Sequence, residues 1–398
     1  MLTPAAAAEL VAASLALLPV DACPLAAAGG RVLREDLLAE RDQPPFDRVA
    51  MDGIAIASEA WQAGRREYRV TGTVAAGAPP MALAGPTTCL EVMTGAVLPP
   101  GADAVIPYEW LTLAGGQATA GDGHALAAWA NVHRRGVDAP AGARVLGTGT
   151  RLRAPELAIA AACGRPALKV SREPRIAVVS SGDELVAPGA ALAPWQIRRS
   201  NVYGIAAALQ AHGWQRLSDD HVGDDPQAIR ATLARLLAQS DVLVLSGGVS
   251  AGRFDHIPEV LGTLGVRCVV HKVAQRPGKP LWFGVGADGQ AVFALPGNPV
   301  STLVCLYRYV LPALERLAGA RPAPAPLVPL AVACDERHGL TAFLPVDRAP
   351  AAAHPGAVAP RPTHGSGDFT ALAGTAGFVE LAPQRSWEPG DPAPLYTW

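Results

Sequence analysis

The sequence is poor in cysteine, lysine and charge, and each shortage excludes something. Six cysteines, Cys23, Cys89, Cys163, Cys268, Cys305 and Cys334, are scattered through 398 residues without a C-x-x-C pair. They suit buried, reduced thiols better than a disulfide frame or a zinc site, and so point to a cytoplasmic setting. Only 17% of residues are charged, the formal net charge is -2, and no run of Lys or Arg exceeds two residues, which argues against a track for nucleic acid. Lysine occurs only at 169, 272 and 279, with Arg supplying positive charge elsewhere. Gly, Pro or a charge interrupts every long apolar stretch, so no membrane-spanning helix is expected. The Ala-rich start has no Lys or Arg before Arg31 and carries Glu9; it lacks the basic flank of a secretory signal and reads as an ordinary helix over 5–18.

What is present in quantity is apolar residue, half of the chain, enough for roughly two to four domains. The pattern suggests a multidomain α/β plus β protein. Residues 41–135 hold short alternating runs such as Tyr68-Arg69-Val70-Thr71-Gly72, broken by Gly and Pro, and read as a small inserted β domain. Residues 1–40 and 136–172 flank it and read as a linker domain, with a helix following Pro155 and stopped by Gly164. Residues 173–320 alternate strand and helix as a wound α/β domain. Strands are expected over 175–180, 241–246, 267–273, 281–285 and 291–295, and helices over 201–212, 226–239, 255–264 and 299–318. After the Pro-rich linker Arg321–Pro326, residues 327–398 read as a C-terminal β domain.

Open α/β sheets bind ligands beyond the carboxyl ends of their strands, and four such loops concentrate glycine and charge. Ser180-Ser181-Gly182-Asp183-Glu184 combines small residues with two carboxylates, suited to an anion and a Mg2+ ion bridging phosphates, although a capped helix start would read alike. Ser246-Gly247-Gly248-Val249-Ser250-Ala251-Gly252, followed by Asp255, suits a phosphate or oxyanion cradle or else a tight turn; it lacks the G-K-[ST] ending of a Walker A loop. Lys272–Pro280 gathers Lys272, Arg276 and Lys279 as partners for phosphate or another oxyanion. Leu295-Pro296-Gly297-Asn298-Pro299 fixes a turn and aims a helix start at the cleft, or is simply rigid.

In this order the four loops resemble the molybdopterin-binding domain shared by two groups, the molybdopterin molybdenumtransferases of the MoeA and gephyrin E-domain type and the molybdopterin adenylyltransferases. Motifs outside the domain separate the two. Asp47-Arg48-Val49-Ala50-Met51-Asp52-Gly53-Ile54-Ala55 resembles the first family's S-A-M-D-G-Y-A, Met93–Ala96 with Pro99–Val105 resembles its T-G-A and P-x-G-A-D-A-V run, and Arg135-Gly136-Val137-Asp138 resembles its R-x-G-x-D. The likeness runs from about residue 40 to about residue 370.

The resemblance implies a C-terminal β-barrel-like domain and an elongated homodimer, with a cleft between the α/β domain of one subunit and the inserted domain of the other. It implies an enzyme that takes adenylylated molybdopterin and molybdate, uses Mg2+, releases AMP and leaves molybdenum on the dithiolene. The alternatives are an adenylyltransferase, or a non-catalytic molybdopterin-binding scaffold. The catalytic positions carried over are Asp52, Thr94, Asp138, Glu184, Asp224, Asp255, Lys272 and Arg276, with Glu184 and Asp255 as metal ligands. Ser180, Ser181, Gly182, Asp183, Ser246, Gly247, Gly248, Ser250, Lys279, Pro296, Gly297, Asn298, Pro299 and Ser366 would bind the cofactor. Contacts with the adenylyltransferase that supplies the substrate and the molybdoenzyme that receives the cofactor belong to the same expectation. Three positions depart from the family: Arg276 stands for Lys, Ile54 for Tyr, and Phe343-Leu344-Pro345 where an aromatic followed by Arg is expected.

Overall fold

A computed structural model of the chain describes residues 1–249, 256–336, 339–350 and 355–398. Two compact units result: one of Met1–Arg34, Thr148–Arg153 and Ala167–Trp398, the other of Glu35–Gly147 and Ala154–Pro166. Two antiparallel pairs tie the first forty residues to the 140–172 stretch. Val20–Pro24 pairs with Ala167–Ser171 in the first unit, and Leu37–Leu38 pairs with Arg144–Leu146 in the second.

The first unit is built on a six-stranded sheet: β1 (Ile176–Ser181), β2 (Leu217–Val222), β3 (Val242–Ser246), β4 (Arg267–His271), β5 (Trp282–Val285) and β6 (Ala291–Leu295), in the order β2-β1-β3-β6-β5-β4. β2, β1, β3 and β6 are parallel, and β5 runs antiparallel to both its neighbours. Every residue of β1, β3 and β6 is buried, as continuous apolar runs in a sheet covered on both faces must be. Alternate residues sort to the two faces. Ile176, Val178, Val242, Val244, Phe293 and Leu295 join one core with Val202, Ile205 and Leu209 of the helix Asn201–Ala211. Ala177, Val179, Leu243, Leu245, Val292 and Ala294 join the other with Ile229, Leu233 and Leu236 of the helix Pro226–Gln239.

Two expectations change, and one strand was not expected. The N-terminal helix spans Pro4–Ala13, capped by Thr3, and ends earlier than residue 18. Leu15 and Leu18 reach the same core without helical backbone, and Pro19 disfavours helix at the residue before it. β2, Leu-Ser-Asp-Asp-His-Val, escapes a reading by hydrophobic pattern because it is an edge strand whose charged residues face water. The helix expected over 299–318 is interrupted: Pro299–Cys305 and Leu311–Ala318 flank a π-helical turn at Leu306–Val310. Pro312 has no N–H to return to the carbonyl of Arg308, so the regular ladder cannot continue through this point.

The C-terminal strands Leu327–Pro329, Thr341–Arg348, Gly377–Leu381 and Pro392–Thr397 form a second sheet, which Gln275–Arg276 extends by pairing with Thr341–Ala342. The loop after β4 is thus also an edge strand of the C-terminal sheet. In the other unit a six-stranded sheet contains Gly53–Ile56 between Ala104–Pro107 and Thr88–Val92. A Cβ at Gly53 would lie 1.9 Å from the Ile106 carbonyl oxygen, so only glycine fits after Asp52. No helix among the described residues is long and apolar enough to cross a membrane.

Asp241 anchors the start of β3. It accepts hydrogen bonds from the Arg172 guanidinium (2.9 Å twice), from the Arg175 backbone N–H (2.8 Å) and from the Arg175 guanidinium. Burial pushes its carboxyl up, but the Arg172 and then the Arg175 hydrogen bonds outweigh burial and hold it far below the ordinary carboxylate range. A depressed folded pKa stabilises the fold above the unfolded value of about 4, and that contribution is lost as pH falls toward the folded value. Asp241→Asn should therefore cost about 2 kcal/mol in urea unfolding at neutral pH. The gap between variant and parent should narrow as pH drops below about 4; a gap independent of pH would contradict this account.

Candidate functional site

Ser180 of β1, Ser246 of β3 and Leu295 of β6 stand in one register across the sheet. Their loops therefore leave the sheet side by side, and the glycines are where they touch. Gly247 has φ +102° and a Cβ there would sit 2.6 Å from the Ser181 carbonyl oxygen; at Gly248 (φ +68°) it would sit 2.5 Å from Ile257 Cδ1. Asn201 Nδ2 reaches Ser246 Oγ (2.8 Å) and the Gly297 carbonyl (2.7 Å), tying the β3 and β6 loops together. Close packing against Ser181 and against Ile257, the first residue of the next helix, thus accounts for Gly247 and Gly248.

Ser180 is buried and held on both sides: Arg199 Nε donates to its Oγ at 2.7 Å, and His221 Nδ1 lies 3.1 Å from the same atom. It is an anchor of the loop. Past it, the loops after β1 and β2 grip each other. Gly182 N–H donates to the Val222 carbonyl (3.1 Å) and Asp224 N–H to Asp183 Oδ1 (3.2 Å). The Glu184 carboxylate folds back over Gly182, where a Cβ would meet it at 2.3 Å. Asp183, Glu184 and Asp224 consequently gather at one corner of the sheet end, while Ser181 is buried beneath them. Ser250 and Asp255 lie outside the described residues.

The other two loops border a cavity of about 850 Å³ whose lining includes Arg276, Lys279, Pro296, Gly297, Asn298 and Ser366, with Phe343, Leu344 and Pro345 on the apolar side. Because β5 runs antiparallel, the Lys272–Pro280 loop falls at the same sheet end as the Pro296 loop. Asn298, at the start of the Pro299–Cys305 helix, donates from Nδ2 to Ser366 Oγ (2.7 Å), and Val300 N–H donates to the Ser366 carbonyl (3.1 Å). These bonds bring a residue nearly seventy positions away into the loop cluster. Lys272, exposed and at φ +64°, is not part of the lining.

Arg361 also lines this cavity and had no sequence signal. Its N–H donates to the Pro345 carbonyl (2.8 Å), so a cation does stand beside the position where the family's Arg is missing. Its guanidinium, however, is committed to Asp347 (Nε–Oδ2 2.9 Å) and to the carbonyls of Ala371 and Ala373.

The second unit holds the remaining acidic positions. Asp52 Oδ1 accepts from the Thr94 backbone N–H (2.6 Å) and hydroxyl (2.8 Å), and these two bonds, the backbone one first, lower the Asp52 carboxyl below its ordinary value. Arg48–Val49 pairs antiparallel with Val132–His133, which sets the Asp52 segment beside the one that leads to Asp138. Asp138 Oδ1 lies 2.9 Å from His133 Nε2, and Arg48 lies 3.5 Å from the other ring nitrogen. Sequence reasoning singled out Asp138 but not His133, whose role depends on that strand pairing.

Residues 2–164 match the family described as "MoeA N-terminal region (domain I and II)", and residues 177–316 match "Probable molybdopterin binding domain". A molybdopterin molybdenumtransferase of Synechocystis sp. is 40% identical over 371 residues, covering 93% of each chain. One from Nostoc sp. is 33% identical over 322 residues, covering 78% of this chain and 72% of its own. A solved molybdopterin biosynthesis MoeA protein from Pyrococcus horikoshii superposes with a TM-score of 0.78 at 29% identity, covering 100% of this chain and 99% of its own.

The Asp52–Thr94 contact has a direct readout. Thr94→Val removes the hydroxyl donor and keeps the backbone N–H, so the Asp52 pKa should rise while staying below the ordinary carboxylate value. A carboxyl-carbon NMR titration measures it, and an unchanged pKa would show that the hydroxyl bond is not formed in solution.

Proposed function

The chain belongs to the MoeA family of molybdopterin molybdenumtransferases, and we propose that it inserts molybdenum into adenylylated molybdopterin, with molybdate as the second substrate and AMP released. The observation that carries this reading is the cavity where Arg276 and Lys279 face the Pro296-Gly297-Asn298 turn and Ser366. Molybdate and a phosphate-bearing dithiolene repel each other, so bringing them together requires fixed cations and hydrogen-bond donors in a partly enclosed space. Arg276 and Lys279 supply the cations. Asn298 and Ser366 orient oxyanion oxygens, and Phe343 and Leu344 exclude water from the apolar side.

Among the described residues no three His, Cys, Asp or Glu side chains converge to enclose a metal ion. Mg2+ is commonly held by one or two carboxylates together with substrate phosphates. Glu184, with Asp255, would hold it beside Asp183 and Asp224, and when bound it would offset phosphate charge. The chain's own residues do the rest: the Ser180–Glu184 loop and the loop that begins at Ser246 would bind the phosphate end, and Lys272 adds positive charge outside the cavity. We further propose a cytoplasmic homodimer in which Asp52, Thr94 and Asp138 serve the reaction across the subunit boundary. The adenylyltransferase and the recipient molybdoenzyme would be its transient partners. The match of residues 2–164 to the MoeA N-terminal region weighs against an adenylyltransferase of the isolated-domain kind.

Purified protein given adenylylated molybdopterin, molybdate and Mg2+ should release AMP, and chelation of Mg2+ should stop the release. Lys279→Ala should raise KM for molybdate about ten-fold, the loss of one charge-assisted contact. A folded dimer that releases no AMP would remove the proposal.

A further inference from the structure

The two cations of the cavity sit on a loop held by the buried side chains of Gln275, Cys305 and Tyr309. Gln275, between Ala274 and Arg276, is fully buried. A buried primary amide is costly unless its polar atoms are partnered, and here they are. Tyr309 donates its hydroxyl hydrogen bond to Gln275 Oε1, and Gln275 Nε2 donates to the Pro277 carbonyl (3.1 Å) and approaches Cys305 Sγ (3.5 Å). Cys305 Sγ in turn donates to the Gly278 carbonyl (3.7 Å). The carbonyls of Pro277 and Gly278, the two residues separating Arg276 from Lys279, are thus both bonded, the first by Gln275, which Tyr309 holds, and the second by Cys305 directly. Gly278, at φ +92°, allows the grip: a Cβ there would stand 2.5 Å from Gln275 Nε2 and 2.6 Å from Cys305 Sγ.

The helix contributes through its irregular turn. Tyr309 lies in the π-helical stretch Leu306–Val310, and the neighbouring Arg308 donates from Nε to Glu380 Oε2 (2.8 Å), which also accepts from the Tyr396 hydroxyl (2.9 Å). Adjacent residues of one turn therefore hold two borders of the cavity, the cationic loop through Tyr309 and the C-terminal sheet through Arg308. Burial pushes the Cys305 thiol up to about 12, so it stays a neutral donor in this network. Packing alone would be served by an apolar side chain at 275; an amide bonded to the loop's own carbonyl does something more.

We propose that Gln275, locked by Tyr309 and Cys305, is a positioning residue that sets the spacing of Arg276 and Lys279 for the oxyanion substrate. The inference rests on the cavity being the oxyanion site, and the two claims separate experimentally. Tyr309→Phe keeps the ring and removes only the hydroxyl. It should raise the calorimetric Kd and the KM for molybdate about five- to ten-fold, with kcat within about two-fold of the parent, because uniform binding is lost rather than transition-state chemistry. Lys279→Ala serves as the reference. Weakened molybdate binding in Lys279→Ala but parental Kd and KM in Tyr309→Phe, even with a lowered melting temperature, would overturn the positioning role alone. Parental binding in Lys279→Ala would overturn the cavity assignment and the inference with it. Should Tyr309→Phe not fold, Gln275→Glu, which keeps the acceptor for Tyr309 and loses the donor to Pro277, is held to the same expectation.

Discussion

The shared register of three parallel strands is the constraint on which the candidate site depends. Ser180, Ser246 and Leu295 lie side by side because β1, β3 and β6 are buried on both faces, and a one-residue slip would turn every core side chain to the wrong layer. Once the register is set, the loops that follow have nowhere to go except against each other. Gly247 and Gly248 are needed there because a Cβ would collide with the Ser181 carbonyl or with Ile257. The glycine-rich character of this loop is thus a packing requirement.

The cavity shows a second constraint of the same kind. Its loop residues Gln275–Arg276 are at once the continuation of β4 and an edge strand paired with Thr341–Ala342. The α/β core and the C-terminal sheet share this segment, and Phe343 and Phe378 of that sheet join the α/β core itself. The cationic loop is accordingly fixed by sheet pairing on one side and by the Gln275–Tyr309–Cys305 network below. A backbone so constrained has little conformational freedom left to lose, which is how preorganisation favours recognition.

The replacement of an expected Arg by Pro345 looks from sequence like a simple loss of charge. Arg361 stands against Pro345 through a backbone hydrogen bond, but its guanidinium clamps Asp347 and the turn at Ala371–Ala373. The wall therefore keeps a cation nearby whose donors are occupied by the fold.

Local pattern was enough to read the wound α/β domain, its buried strands and the helices at 201–211 and 226–239, because burial on both faces writes continuous apolar runs and amphipathic helices write a 3.6-residue period. The motifs around Asp52, Thr94, Asp138 and the four strand-end loops were legible too, since each is a contiguous string of residues with restrictive backbone demands. Pattern did not show the charged edge strand β2, the π-helical turn before Pro312, the contacts of Arg361 and His133, or the absence of Lys272 from the cavity lining. Those follow from which strands pair and which loops meet, contacts between residues far apart in the chain, and a hydrophobic period records only whether a side chain is buried, not what it is buried against.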